Sequence, residues 1–186
     1  MRDEAAPSRL AVAVIATALA ACGAACGCAP CPASVQPEPE PDPDPGPPHD
    51  FVPAIVKAVV PTPQGNAMVL ESEAEGLRLP VFIGDAEAAV IRMRLAGGRF
   101  ERPLTHDLLD ALLAEMGAQI VRVLVTKLRG DVFIGTVVVR QGGRLIRVDA
   151  RPSDAVALAV GNNVPIFVAR SVLQSAGVPI ERRFGP

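Results

Sequence analysis

No tryptophan and no tyrosine occur among the 186 residues, while phenylalanine appears six times and histidine twice. A hydrophobic core must therefore be assembled from Val, Leu, Ile and Ala, and the best stacking platforms for unpaired bases are missing. Cysteine is absent after residue 31, which removes disulfides and thiolate chemistry from everything downstream. No apolar run reaches the roughly 20 residues that a helix needs to cross a bilayer. Lysine and arginine are absent from residues 22–50, which carry five acids. What is present sets the other bounds. Apolar residues make up 49% of the chain, which excludes disorder of the whole, and the length suits one ordinary domain. From Phe51 onward 16 basic residues face 13 acidic ones. That balance permits an anionic partner without forming a strongly basic nucleic-acid footprint.

The first 50 residues read as leader and tether. Leu10 to Ala21 (LAVAVIATALAA) is an apolar stretch of secretory length after Arg9, so residues 1–21 are expected to be a signal peptide. Leu19-Ala20-Ala21-Cys22 resembles a bacterial lipobox, which predicts acylation of Cys22, and Gly23 resembles the outer-membrane default. The expected setting is therefore an exported protein, lipid-anchored in the outer membrane and facing the periplasm or the cell surface. Residues 22–50 form the tether. Cys26, Cys28 and Cys31 have a spacing that thiolate metal sites use, but Gly, Ala and Pro surround them and they are assigned no chemistry. The run QPEPEPDPDPGPPHD alternates proline with acids and predicts an extended polyproline spacer.

Residues 51–186 carry the periodic apolar runs. FVPAIVKAVV, AMVLES and LRLPVFIG read as strands, and Asp85 to Leu95 as a helix capped by Asp85. Thr105 to Met116 reads as a second helix, capped by Thr105 and stopped by Gly117. IVRVLVTKL, VFIGTVVVRQ and RLIRVDAR repeat the strand pattern, and Pro152 opens a helix running from Ser153 to Val160. A last strand is expected over Pro165 to Val168 and a last helix over Ser171 to Ala176. Aligning the two strand-to-helix junctions sets Glu87 opposite Asp154. The fold expected is α+β: a duplicated unit of three strands and then a helix, its strands in one curved or closed mixed sheet with helices packed on it. Two separate layers with swapped strands are the alternative.

Two segments gather polar residues where periodicity alone would not place them: Arg102-Pro103-Leu104-Thr105-His106-Asp107 and Asp149-Ala150-Arg151-Pro152-Ser153-Asp154. Each joins a guanidinium, a proline turn, a hydroxyl at a helix start and a carboxylate. Helix N-termini bind anions, and arginine adds two-pronged phosphate geometry, so Arg151, Ser153, Arg102 and Thr105 are candidates for substrate binding. Asp154, Asp149 and Glu87 are candidates to hold a hard divalent cation, Mg²⁺ or Mn²⁺, and His106 to shuttle a proton. Asp154, Asp149, Glu87 and His106 are thus the catalytic candidates. Taken singly, Thr105, Ser153, Asp107 and Asp154 would serve equally as helix caps or first-turn acids.

At these residues the sequence resembles the bifunctional nuclease family. The resemblance runs through RPLTHDLLDALLAEMGA (residues 102–118), VDARPSDAVALAV (148–160) and the I-G-x-x-E-A pattern formed by Ile83, Gly84, Glu87 and Ala88. It covers Val52 to Gly177 in order and implies a nuclease acting on DNA or RNA. With so few aromatics, contact would be directed at the phosphate backbone. Two readings follow: a membrane-tethered phosphodiester hydrolase, or a non-catalytic envelope module binding an anionic ligand or a protein. A homo-oligomer is compatible with either. Convergence of Glu87, Asp149, Asp154 and His106 on one cleft would favour the first.

Overall fold

Among the described residues, alternation of β-branched and small residues with polar ones builds eight strands, and four helices each start after an extended residue. The computed structural model describes residues 46–98 and 100–181. The leader, Cys22 and most of the tether lie outside the described residues. The strands are β1 (Phe51–Thr62), β2 (Gly65–Ser72), β3 (Leu77–Ile83), β4 (Ala118–Arg129), β5 (Val132–Gln141), β6 (Arg144–Ala150), β7 (Ile166–Ala169) and β8 (Val178–Pro179). The helices are α1 (Asp85–Leu95), α2 (Thr105–Glu115), α3 (Pro152–Asn162) and α4 (Arg170–Ala176).

All eight strands join one mixed sheet in the order β6-β5-β4-β7-β1-β2-β3-β8. Every neighbouring pair is antiparallel except β4 and β7, which run parallel. The expected duplication is visible in this order: β1-β2-β3 and β4-β5-β6 are meanders placed outward on either side of β7, each followed by a helix or a helix pair. The sheet is open, with β6 and β8 as its edges, so closure does not occur. The separate-layer alternative fails too, because β7 bridges the halves by pairing with both β1 and β4.

The core follows from the scarcity of aromatics. Met68, Leu70, Leu79, Val123, Val125, Val138 and Val168 are fully buried from the strands, with Ile91 from α1, Val156 from α3 and Leu173 from α4. Each such Leu or Ile contributes about 1.5–3 kcal/mol by leaving water. Of the phenylalanines, Phe82 and Phe100 are more than half exposed, while Phe51 and Phe133 pack against the core partly buried. Helix α3 is the central helix: Pro152, Ser153 and every residue from Ala155 to Ala159 are buried. Its alanines let the backbone approach the sheet closely. Helix α2 behaves oppositely, for none of its residues is buried in spite of its apolar stripe. Among the described residues no helix is long and apolar enough to cross a membrane.

Helix starts fall within a residue or two of the pattern, but the caps differ from those expected. The N-cap positions are Gly84, Leu104 and Arg151, none of which makes a side-chain cap bond. Asp85 and Thr105 are the first residues of their helices and Ser153 the second of α3. In α2 the carboxylate of Asp107 takes over, accepting the Leu104 amide at 2.9 Å. Helix α3 extends to Asn162 and ends at Asn163, whose φ of +53° is the left-handed turn that asparagine tolerates.

Candidate functional site

Helices α1, α2 and α3 bring their first turns together above β5 and β6. Between them lies a cavity of about 640 Å³. Its sheet side is Val137, Val139 and Val148; Leu109 and Leu113 of α2 cover it, and Val90 of α1 and Leu158 of α3 complete the apolar wall. Its polar residues are Glu87, Thr105, His106, Asp149, Arg151 and Asp154. A close backbone crossing makes this geometry possible. A Cβ on Gly135 would sit 2.9 Å from the Ala150 carbonyl oxygen and 3.1 Å from the Pro152 nitrogen, so only glycine lets β5 run beneath the junction from β6 to α3.

The polar groups are connected through Arg151. Its Nε and Nη2 donate to Asp154 Oδ2 and Oδ1 at 2.7 and 3.0 Å, and Nη1 lies 2.8 Å from Glu87 Oε1. Glu87 and Asp154, aligned across the two halves of the sequence, therefore share one guanidinium. His106 Nε2 faces Asp154 Oδ1 at 3.4 Å, which brings α2 into the same group. The two-pronged bond from Arg151 holds the Asp154 carboxyl below its ordinary value, against the opposing effect of burial and with a smaller contribution from His106. The same bond, reinforced by Glu87, raises the Arg151 pKa. Arg151 stays charged at any relevant pH, and with a side chain 66% exposed it remains reachable from solvent.

Of the residues singled out in the sequence, Glu87, Thr105, His106, Asp149, Arg151 and Asp154 meet at this cavity. Arg102 does not line it, and Ser153 is buried in α3 away from its wall. Asp149 borders it only from the edge strand: alternation with Val148 turns its side chain to the other face of the sheet, toward a shallow depression shared with Arg147 and Thr136. As arranged, Glu87, Asp149 and Asp154 do not fit a divalent cation. Arg151 holds the space between two of them, and among the described residues no three His, Cys, Asp or Glu groups come together in a way that could hold a metal ion.

One residue that holds the site together has no motif to announce it. Arg94, its side chain only 5% exposed, lies 2.7 Å from Asp107 Oδ1 and 3.1 Å from Asp110 Oδ2. It also donates to the Ala157 carbonyl at 2.9 Å. It ties α1 to α2 and α3 at once. Gly161 lies against its guanidinium with no room for a side chain. The available signal was the arginine's place beside the apolar residues of α1.

Comparison with known proteins agrees with the motifs. The profile of the Bifunctional nuclease domain matches residues 68–181. An uncharacterized protein of Mycobacterium tuberculosis is 40% identical over 127 residues, 68% of this chain and 76% of that one. Bifunctional nuclease 1 of Arabidopsis thaliana is 25% identical over 118 residues, 61% of this chain and 36% of the plant protein. Bifunctional nuclease 1 of Oryza sativa subsp. japonica is 25% identical over 119 residues, 62% of this chain and 36% of that one.

Proposed function

The chain belongs to the bifunctional nuclease domain family, and from that premise we propose that it hydrolyses phosphodiester bonds of DNA or RNA at the cavity between α2 and the sheet. The observation that carries the reading is the linked set Glu87–Arg151–Asp154–His106 at the start of α3. Arg151 spends three N–H groups on carboxylates and keeps two. It is thus held in place while still able to grip a phosphate oxygen, as the start of α3 suits an anion. His106 directs Nε2 toward Asp154, which leaves Nδ1 as the nitrogen to accept a proton from the attacking water. Asp154 is the positioning residue for both. Thr105 completes the polar wall.

Glu87 and Asp154 outweigh Arg151, so the cavity carries net negative charge, and because Arg151 holds the space between the two carboxylates, Mg²⁺ or Mn²⁺ would have to enter with the substrate's phosphate. The purified protein should cleave single-stranded DNA or RNA, and Arg151→Gln should raise KM by at least about tenfold. Absence of cleavage with Mg²⁺, with Mn²⁺ and with EDTA alike would refute the reading. A second reading, a non-catalytic module for an anionic ligand, rests on the mainly aliphatic walls of the cavity. It predicts phosphate-ester binding that Arg151→Gln weakens, without turnover.

The proposed setting is the exported, lipid-anchored one suggested by Leu19-Ala20-Ala21-Cys22, with extracytoplasmic nucleic acid as substrate. Cys22→Ala should block processing and leave the leader uncleaved. Normal cleavage of that variant, with membrane association retained, would contradict the anchor.

A further inference from the structure

The cavity at the start of α3 is polar at one end only. Three helices bring their first turns to that end through Glu87, His106 and Asp154, which meet at Arg151 and its partners. Both long walls lead away from it. Strand β5 leaves the junction at Gly135, paired with Ala150, and carries Val137 and then Val139 along the cavity. Four residues of strand set Val139 about 13 Å from Gly135. Helix α2 runs the same way: at its start His106 faces Asp154, and at its far end the Met116 carbonyl accepts the Gln141 side chain at 3.1 Å. Leu109 and Leu113 line the cavity from this helix, and Leu113 lies about 12 Å beyond Thr105. Val90 and Leu158 flank them, so the side chains that line the cavity beyond the first turns are aliphatic.

That division selects a ligand. A nucleobase pushed into the interior would leave its ring nitrogens and exocyclic groups without hydrogen-bond partners. An alkyl chain has no such atoms. We propose that the cavity binds a single-chain amphiphile with an anionic head, its chain between β5 and α2 and its head on the two N–H groups of Arg151 not engaged by carboxylates. A volume of about 640 Å³ with mainly apolar walls and a few grouped polar side chains is the ordinary form of a small-molecule site. An extended chain advances about 1.3 Å per carbon, given carbon–carbon bonds near 1.5 Å. About eight to ten carbons therefore reach from the first turns to Val139 and Leu113.

The sign of the head follows from Arg151. A cationic head would have to displace the guanidinium from its two-pronged bond to Asp154 and from Glu87. An anionic head displaces neither. Helix α2 is suited to cover such a chain, because polar ties hold it in place: Asp107 and Asp110 to Arg94, and the Asn162 side chain to Asp110 at 2.7 Å. Its leucines are not buried in the core, which leaves Leu109 and Leu113 to meet a ligand. The inference stands on the cavity walls and Arg151 and requires no cleavage.

The test reads occupancy from inside the cavity. It uses the full chain with Cys22, Cys26, Cys28 and Cys31 replaced by serine. Val139→Cys then places one thiol on the strand wall, and Leu113→Cys one on the helix wall. Ile55→Cys, at a position 55% exposed and outside the cavity, is the control. Decyl phosphate should slow methanethiosulfonate labelling at 139 and at 113 at least tenfold and leave labelling at 55 unchanged. From hexyl through octyl to decyl phosphate, the half-protecting concentration should fall about fourfold per methylene. Arg151→Gln should raise it at least tenfold, and decylammonium should protect at least tenfold less well than decyl phosphate. Melting curves identify the folded variants, and the two cavity positions serve as replicates on separate elements. Four results would each overturn the proposal: no protection at either cavity position in a folded variant, equal protection at 55, protection independent of chain length or of Arg151, or a preference for the cation.

Discussion

At the scale of single residues the site turns on Arg151 and the carboxylates that fix it. Arg151→Lys keeps the charge but loses the planar fork, so KM should rise several-fold with kcat within a few-fold of wild type, measured by steady-state cleavage. Asp154 governs the response to acid. Its folded pKa lies below the ordinary 3.8, so as pH falls the unfolded chain takes up the proton first. The stabilisation it provides is complete above the ordinary value and is lost as pH drops through the lowered one. Melting temperature should therefore fall between about pH 5 and about pH 3, and the fall should be shallower in Asp154→Asn. Equal slopes in the two proteins would mean that the bond to Arg151 adds nothing in solution.

At the scale of elements, the three helix starts meet because of two close approaches. Gly135→Ala forces β5 away from the β6–α3 junction, and overpacking of this kind costs about 1–3 kcal/mol. The substitution should also depress cleavage, since Arg151 moves with that junction; denaturant unfolding and kinetics on one preparation check both. Arg94→Met removes the guanidinium shared by Asp107 and Asp110, at a cost of about 3 kcal/mol. Hydrogen exchange should then quicken in α2 more than in α3, because α2 has no buried side chain to hold it. These elements also mark how far the sequence could be read. Periodicity located every helix, yet it could not tell a cap from a first residue, since Asp85, Thr105 and Ser153 are suited to both roles. It likewise marked the leucines of α2 as an apolar face. Whether that face meets a core depends on what packs over the helix, which no local pattern records.

On the scale of the whole molecule, duplication explains both the architecture and the site. Two meanders placed outward around β7 set α1 and α3 side by side, and the aligned Glu87 and Asp154 consequently bind one arginine. That alignment was legible in the sequence and was its best pointer to the site. An open rather than closed sheet was not legible, because closure depends on strand order, and the β7 bridge comes from a short late strand. Nor does residue spacing reveal that Arg151 would fill the gap between carboxylates expected to bind a cation. The central claim is that this linked set cleaves phosphodiesters, and His106 is the member whose loss least disturbs the scaffold. The direct measurement is kcat for single-stranded DNA and RNA with the wild-type protein and His106→Gln, alongside their melting temperatures. The account predicts a loss of at least about 100-fold in kcat with melting nearly unchanged; an active wild-type protein whose kcat survives the substitution would contradict it.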